Sequence, residues 1–295
     1  VVLVLQALVK IGRRALRSPL HVLLAVFAFV ALEFLGIPFP LLVAAAGLLG
    51  AAVAWRFPRP AIADRPLQPG TASSTRVVTV GLALWLAPLA LVAALSGTDS
   101  LWTRIYLFFT QTALVTFGGA YAVLGYVTQH LVQDLGWLTA DQAVAGLALA
   151  ETTPGPLVIV LQFMGFMAGW NQPGALDPAV SAVIAALLAS WATFLPSFVF
   201  IFLGAPHVER ISHEPRIAAA LAAITAAVVG VIASLTLLLA KVVLLPGGLA
   251  AGPSWPAIAI GVGAWLLLQR TRLALPWVLV AAALAGLGAE FAGWA

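Results

Sequence analysis

The chain has 295 residues, of which 63% are apolar and 8% are charged, and its mean hydropathy is +1.09. Soluble domains carry roughly 25% charged residues, so the composition excludes an ordinary soluble protein and indicates a membrane protein. The net charge of +4 does not indicate a nucleic-acid partner. The arginines fall in short clusters between apolar runs, as in the cytoplasmic loops of polytopic proteins.

The first apolar segments predict membrane helices. The chain opens at Val1 inside an apolar run without a signal-peptide pattern, so we expect a fragment of a longer protein whose first helix is cut short. A basic cluster, Lys10–Arg17, follows it. Segments 21–35 and 39–55 are each near the length that crosses a bilayer, and the turn between them carries no basic residue. They predict two spans joined by a short turn.

A polar, proline-rich stretch, Arg56–Arg76, is the strongest change in composition along the chain. It predicts a cytoplasmic linker and divides the sequence into three parts: residues 1–56 as the C-terminal helices of a first transporter half, 57–76 as the linker, and 77–295 as the second half. Further spans are predicted over 77–97, 105–128, 141–169 (interrupted), 179–204, 217–245, 255–269 and 273–292. This count places the basic segments on one side of the membrane, as the positive-inside rule requires.

Two segments resemble each other. IPFPLLVAAAGLLG (37–50) and LPWVLVAAALAGLG (275–288) align without a gap. The first hairpin has arginines at its open ends, whereas the second has Arg270 and Arg272 at its turn. Opposite charge placement predicts opposite orientations in the membrane. The sequence therefore predicts half of an inverted-repeat transporter, with an all-α, polytopic fold.

Two places break helical regularity inside apolar segments. One is LVTFGGAYAVLGY (Leu114–Tyr126), where a glycine pair is also compatible with close helix packing. The other is ETTPGP (Glu151–Pro156), where the two prolines stop a helix that arrives from residue 150. Proline also suits the first position of a new helix, so we expect a true break there.

Broken backbone is tolerated in a bilayer only where it is buried in protein or lines a cavity. A half-helix that starts at such a break offers unpaired N–H groups and the positive end of its dipole, which bind anions. Threonine hydroxyls at Thr116, Thr152 and Thr153 lie beside the two breaks. The sequence therefore predicts a site for a small anion near the middle of the membrane, with the two breaks facing one polar cavity.

The segments TFGGAYAVLGYV and GWLTADQAVAGLALAETTPGPLVIVLQFMGFMAG resemble the chromate ion transporter family. A Phe-Gly-Gly motif, a Gly-Trp-Leu segment and a Thr-Pro-Gly-Pro motif recur in that family in this order, and the resemblance extends over about 105–245. It implies two homologous halves in opposite orientation and transport of an oxyanion. The motif positions that it implies are Phe117, Gly118, Gly119, Thr153, Pro154, Gly155 and Pro156. Most of the first half, with its own motif copies, is missing here.

The leading interpretation is a secondary transporter of the inner (plasma) membrane that exports chromate by alternating access and confers chromate resistance. The alternatives are a sulfate or other oxyanion transporter of the same fold, and a structural membrane subunit that does not transport. No Walker motif is visible, so an ion gradient or anion exchange would drive transport. The expected partners are the oxyanion, the lipid bilayer, the missing first half and a second copy of the chain.

An intramembrane enzyme is not expected, because the four histidines are scattered near loops and no protease motif is present. The sequence predicts no cofactor and no metal site. Glu151 directly precedes the break and is a candidate coupling group or a helix cap. Arg104 and Lys241 are predicted near helix ends, where snorkelling to the interface competes with a substrate contact. Tyr121 could donate a hydroxyl hydrogen bond or anchor the chain at the interface.

Overall fold

The computed structural model describes residues 1–56, 74–115, 120–153, 156–204, 214–246, 248, 252–271, 273 and 275–292. This part of the chain forms α-helices and no β-strand, which confirms the all-α prediction. The helices are α1 (Val2–Ala15), α2 (Pro19–Leu35), α3 (Phe39–Arg56), α4 (Ser74–Ser96), α5 (Leu101–Val115), α6 (Ala120–Gln129), α7 (Ala140–Thr152), α8 (Val160–Asn171), α9 (Pro178–Gly204), α10 (Pro215–Leu244), α11 (Trp255–Arg270) and α12 (Leu275–Phe291). A π-helical turn, His130–Asp134, follows α6, and a 3₁₀ turn, Leu157–Ile159, precedes α8.

Within these ranges, four helices are long and apolar enough to cross a membrane: α3, residues Thr75–Ser96 of α4, α9 and α10. Shorter apolar helices are α2, the segment Leu157–Asn171 and α12. Large apolar side chains are exposed along them, for example Leu48, Leu95 and Phe202. Lipid solvates such a surface and water does not. The protein is therefore a multi-pass membrane protein.

Local sequence signals set several helix ends. Ser18 caps α2 by accepting a hydrogen bond from the His21 amide, and Pro19 takes the first helical position, where its missing N–H costs nothing. The helix closes at Gly36, whose φ of 62° suits glycine. Thr139 and Gln142 form a reciprocal capping box at the start of α7.

Helix α10 packs against α2 and α3. Its Gly230 lies directly on the backbone of α2, because a Cβ at that position would come within 2.8 Å of the Phe29 nitrogen and still closer to the Ala25 oxygen. Small residues let membrane helices approach in this way. The segment before residue 57 therefore packs directly on the longest helix of the segment after it.

Helices α8 and α9 form a second close pair through small residues. A Cβ at Gly165 would lie 2.5 Å from the Cβ of Ala189, and one at Gly169 would lie 2.6 Å from the carbonyl oxygen of Ser181. The spacing GFMAG on α8 is the small-xxx-small pattern of membrane helix contacts. This contact fixes α8 rigidly on the membrane-spanning helix α9.

Pro88 interrupts the hydrogen-bond ladder of α4, and side chains from other helices take over. Proline has no N–H to give to the Leu84 carbonyl, and Trp191 of α9 donates its indole N–H to that oxygen at 3.0 Å. The Tyr106 hydroxyl donates to the next carbonyl, Trp85, at 2.5 Å. These two side chains, Trp191 and Tyr106, hold α4 against α9 and α5.

Helices α7 and α8 form a helical hairpin that returns to its starting side. Asn171, at the end of α8, donates to the Trp137 carbonyl at 2.8 Å and to the Gln142 side chain at 2.7 Å, so it lies beside the start of α7. Halfway along, a Cβ at Gly146 would lie 2.6 Å from the Phe163 ring. We call α7 and α8 with their connection hairpin 2. The interrupted span expected over 141–169 is thus a re-entrant element and does not cross the membrane.

Helices α5 and α6 also fold back on each other, and we call them with their connection hairpin 1. The Phe108 ring of α5 stacks on the Tyr126 ring of α6, with centroids 6.0 Å apart. It also stacks on His130, which follows α6, at 5.9 Å. The predicted span 105–128 is therefore a second re-entrant element. Two predicted crossings are thus replaced by two re-entrant hairpins. Because an even number of crossings is removed, every later helix keeps its predicted orientation in the membrane.

Most of the basic residues at helix ends share one face of the molecule when the remaining helices are taken as crossings, whereas Arg104 and Lys241 lie on the opposite face. Arg14 closes α1, Arg56 closes α3, Arg76 opens α4, Arg216 opens α10 and Arg270 closes α11. We call this face the basic face; by the positive-inside rule it is cytoplasmic. The two hairpins start and end on the opposite face.

Candidate functional site

The tip of hairpin 2 is a break between two helices. Helix α7 ends at Thr152, Thr153 is extended with φ −83° and ψ 124°, and Pro156 is extended with φ −71° and ψ 129°. The 3₁₀ turn then leads into α8. Helix α7 has 13 residues, a rise of about 20 Å. Because the hydrocarbon core is about 30 Å thick, the tip lies inside the membrane.

The tip of hairpin 1 lies at a comparable depth. Helix α5 has 15 residues and rises about 22 Å before it ends at Val115. Helix α6 starts at Ala120. The motif residues between these helices, Thr116, Phe117, Gly118 and Gly119, lie outside the described residues, as do Pro154, Gly155 and the side chain of Thr152. Of the predicted substrate-binding set, Thr153 and Pro156 are fully described.

The described flanks of the two tips meet. The Tyr121 hydroxyl, one residue into α6, donates a 2.7 Å hydrogen bond to Oε1 of Glu151, which lies in the last turn of α7. Helix α6 also contacts the 3₁₀ turn after the second tip. Both side chains were candidates from the sequence, but their contact was not predicted because 30 positions separate them.

Glu151 also lines a cavity of about 640 Å³ between α1, α7, α10, α11 and α12. The other side chains that line it are apolar, for example Leu147, Leu239, Val243, Ile258 and Leu279. A carboxylate in such surroundings is costly unless it is hydrogen-bonded or protonated. The Tyr121 hydroxyl supplies that hydrogen bond.

Threonine hydroxyls on the helices that lead to the tips already make hydrogen bonds within the protein. Thr153 donates to the Leu149 carbonyl at 2.7 Å, which leaves its oxygen lone pairs able to accept. On α5, Thr110 accepts from the Trp85 indole at 3.2 Å, and Thr112 donates to the Phe108 carbonyl from a buried position. Thr110 therefore joins α5 to α4, and the bond from Thr112 to Phe108 lies within α5.

The base of hairpin 1 is a buried aromatic cluster, which we call the aromatic base: Phe39, Phe108, Tyr126, His130 and Trp137. Phe108 is 8% exposed, Tyr126 6% and Trp137 2%, whereas Leu149 and Ile159 beside the second tip are 51% and 37% exposed. His130 lies at the outer edge and pairs with Asp134 at 2.6 Å. Arg104 covers the Trp137 ring at 5.6 Å. These side chains pack the base of hairpin 1 on the opposite face.

A charged cluster that the sequence analysis missed joins α2 to α10. Glu33 accepts hydrogen bonds from Ser234 at 3.0 Å and from Lys241 at 2.5 Å. The Glu33 side chain is 19% exposed and that of Lys241 is 57% exposed. The available signal was a single carboxylate in an otherwise apolar run, because an intramembrane acid normally has a partner. Lys241 is thus ion-paired at a helix end.

Comparisons with known proteins agree with this picture. The family model described as Chromate transporter matches residues 103–287. The probable chromate transport protein of Synechococcus elongatus is 31% identical over 209 residues, which is 70% of this chain and 47% of that protein. The chromate transport protein of Pseudomonas aeruginosa is 31% identical over 216 residues, 71% of this chain and 47% of that protein. No solved structure matches the chain.

A further relative, the chromate transport protein of Cupriavidus metallidurans, is 32% identical over 187 residues, which is 63% of this chain and 41% of that protein. The chain thus spans about half the length of the curated relatives it matches. The family model covers nearly all of both re-entrant hairpins, together with α9, α10, α11 and most of α12. The chain therefore belongs to the chromate transporter family.

Proposed function

We propose that this protein carries a chromate-like oxyanion across the inner membrane and that the two hairpin tips form its binding site. The observation that carries the proposal is the hydrogen bond from Tyr121 to Glu151, because it holds the flanks of both tips together inside the membrane. The proposed substrate-binding residues are those of the two motifs, Thr116–Gly119 and Thr152–Pro156.

The chemistry of a broken helix suits a doubly negative tetrahedral anion. The start of a half-helix presents amide N–H groups that no carbonyl in the same helix accepts, and its dipole is positive there. Such a site binds an oxyanion without a buried lysine or arginine. The proposal thus explains why an otherwise apolar chain interrupts two of its helices at membrane depth.

We further propose that transport proceeds by alternating access and that its direction is efflux, giving chromate resistance. A membrane potential that is negative inside does about 2.3 kcal/mol of work per charge and per 100 mV, so it favours outward movement of a dianion. The exposed tip flanks and the buried aromatic base suit a state that is open towards the basic face. Glu151 is the proposed coupling group.

A first half of the transporter, or a second copy of the chain, is the proposed protein partner. The curated relatives are about twice as long as the matched region. In an inverted-repeat transporter the substrate site lies between the halves. The residues that line the apolar cavity beside Glu151 would then form one side of the interface between the two halves.

The test is uptake of radiolabelled chromate into inside-out vesicles that contain the protein at its natural length. The variants are Gly119→Leu, which adds bulk at the first tip, and Pro154→Ala, which restores an amide N–H at the second. We expect both to lower transport at least about tenfold, the effect of losing about 1.4 kcal/mol of binding. Normal transport by both correctly folded variants would contradict the site.

A sulfate-like oxyanion is the second candidate substrate, because tetrahedral dianions differ little in size and offer the same acceptors. Competition between labelled chromate and unlabelled sulfate in the same vesicles separates the two. Inhibition by sulfate at concentrations below those of chromate would make sulfate the preferred solute. No transport of either anion would favour a structural subunit.

A further inference from the structure

We propose that the apolar cavity between α1, α7, α10, α11 and α12 binds a helix of the first transporter half, namely the counterpart of α10. The proposal rests on the proposed function, because it takes the first half as the protein partner. It adds which surface of this chain meets that half and which helix of that half it meets. The two halves would then exchange helices, with α2 and α3 packed on α10, and α11 and α12 packed on its counterpart.

The last three helices repeat the order of the first three. Helices α2 and α11 each follow a serine N-cap, Ser18 or Ser254, and have a proline at the start of the helix. Helices α3 and α12 each begin one residue before a proline, Pro40 or Pro276. The helix before the first pair is α1, and the helix before the second pair is α10. Helix α1 therefore belongs to the counterpart of α10.

The two sets of helices run in opposite directions through the membrane. Helix α10 starts at the basic face with Arg216, and α1 ends there with Arg14. Helix α2 runs parallel to α10, whose Gly230 lies on the α2 backbone. In the same way, α11 runs parallel to α1, and a Cβ on Gly261 of α11 would lie 3.8 Å from the Val2 side chain. Similar packing in opposite orientations is the relation between two inverted repeats.

The structure sets the register of this repeat. Pairing Pro40 with Pro276 shifts it by two residues from the gapless match of the two sequences, which pairs Pro38 with Pro276. Leu48 of α3 then corresponds to Leu284 of α12, and both are largely exposed, at 73% and 64%. The face that α3 buries becomes the face that α12 turns to the cavity. The corresponding residues are Phe39 and Leu275, Leu42 and Val278, Val43 and Leu279, and Ala46 and Ala282.

Helix α10 fills the place beside α3 that corresponds to this cavity. Helices α2 and α3 both pack on α10, and Ala227 of α10 lies in one buried cluster with Ala28 of α2 and Ala46 of α3. Helices α11 and α12 instead line a cavity of about 640 Å³. A void of this volume between apolar side chains is strongly destabilising. We therefore expect apolar side chains of another element to fill it.

The position of the cavity selects the first-half helix as that element. Residues Val1–Leu5 of α1 line the cavity, so the helix that contains α1 reaches it. The curated relatives are about twice as long as the matched region, which provides the chain for this helix. A segment of the same chain is held beside its site at a high effective concentration, whereas a second copy or a lipid chain has to bind from outside.

The experiment places a photoreactive diazirine analogue of leucine at Leu279 in the protein at its natural length, in lipid vesicles. The analogue is close to leucine in size, so it preserves the packing. The matched control carries the analogue at Leu284, which is 64% exposed and lies outside the cavity lining. After irradiation, mass spectrometry of the digested protein identifies what each position has captured. We expect position 279 to capture the first half of the same chain and position 284 to capture lipid.

A mixture of isotope-labelled and unlabelled protein separates a segment of the same chain from a second copy. Peptide pairs captured within one chain carry a single isotope, whereas pairs captured between two copies include both. Capture of lipid, of a second copy or only of the second half at position 279 would overturn the proposal.

A second measurement uses the volume of the cavity. Ala282→Trp adds a large apolar side chain, which the cavity accepts if no helix fills it and which clashes if one does. We therefore expect Ala282→Trp to lower the midpoint of thermal unfolding of the natural-length protein by several degrees. Ala281→Trp, at an exposed alanine outside the cavity lining, is the control and should leave the midpoint unchanged. Equal midpoints for the two variants would contradict a filled cavity.

Neither measurement depends on transport, so the outcomes separate the two proposals. If both results are as expected while chromate uptake is absent, the proposed function fails and the helix exchange stands. If uptake is normal while position 279 captures lipid, this inference fails and the proposed function stands.

Discussion

The rings of Phe108 and Tyr126 stack with an interplanar angle of 17° and centroids 6.0 Å apart. In one continuous helix these residues would lie about 27 Å apart along the axis. The chain must therefore turn back between these two residues. This relationship makes hairpin 1 re-entrant and places the π-helical turn after α6 on the face opposite the basic helix ends.

The first prediction concerns this topology. A single cysteine at Asp134 should react with a membrane-impermeant maleimide only from the face opposite the basic one. A straight crossing over 105–128 would place it on the basic face. The sequence has no cysteine, so no native thiol needs to be removed.

Two controls define the faces in that experiment. Arg270→Cys should react from the basic face, and Asp177→Cys, between hairpin 2 and α9, from the opposite face; both assignments are the same for either topology. Labelling of Asp134→Cys together with Arg270→Cys would show that hairpin 1 crosses the membrane.

The second prediction concerns the aromatic base. Phe108→Ala removes the ring that contacts Tyr126, His130 and Trp137 and leaves a cavity, a change that costs about 3 kcal/mol or more in a packed core. A single cysteine at Thr153 should then become reactive from the opposite face, from which it is otherwise shielded. Phe198→Ala, an exposed ring on α9, is the matched control and should leave the labelling unchanged.

The third prediction concerns the support of hairpin 2. Gly169→Val should lower the midpoint of thermal unfolding in detergent, because its side chain meets the backbone of α9 at Ser181 and Ala182. Overpacking of this kind costs about 1–3 kcal/mol. Gly286→Val, where nothing lies within 4 Å, controls for the change in helix propensity. Equal midpoints for the two variants would show that α8 and α9 do not pack as described.

The fourth prediction concerns the pair Glu33 and Lys241. Lys241→Ala leaves a half-buried carboxylate without its cation, and we expect a loss of about 1 kcal/mol of unfolding free energy, a modest value because the lysine is largely exposed. Adding Glu33→Gln should restore most of that loss, since the uncompensated charge disappears. The measurement is a double-mutant cycle by thermal unfolding. Additive effects in the cycle would mean that the pair is not formed in the membrane.

The sequence predicted the helical class, the helix bounds of most crossings and the break after Thr152, because apolar length and proline act locally. It did not predict that 105–128 and 141–169 turn back. A glycine pair and a Thr-Pro-Gly-Pro motif allow either a kink or a return, and the choice depends on distant contacts such as Asn171 with Trp137 and Phe108 with His130.

The polar contacts of the candidate site were the hardest to predict. Tyr121 and Glu151 lie on different hairpins. Glu33 and Lys241 lie on different helices and are 208 positions apart in the sequence. Taken alone, Glu151 was compatible with a capping role, Lys241 with snorkelling and Tyr121 with anchoring at the interface. Their pairing follows from the return of both hairpins and from the parallel packing of α2 on α10, which no local pattern encodes.

The most direct test of the central claim, that the two tips form one anion site, is protection of a single cysteine at Thr153 from a hydrophilic maleimide. Sulfate serves as the dianion because it does not oxidise thiols, and chloride at equal ionic strength is the control. The account predicts that sulfate slows labelling in a saturable way, and that Gly119→Leu on the other hairpin abolishes this protection. Protection that persists unchanged in Gly119→Leu, or none in either protein, would contradict it.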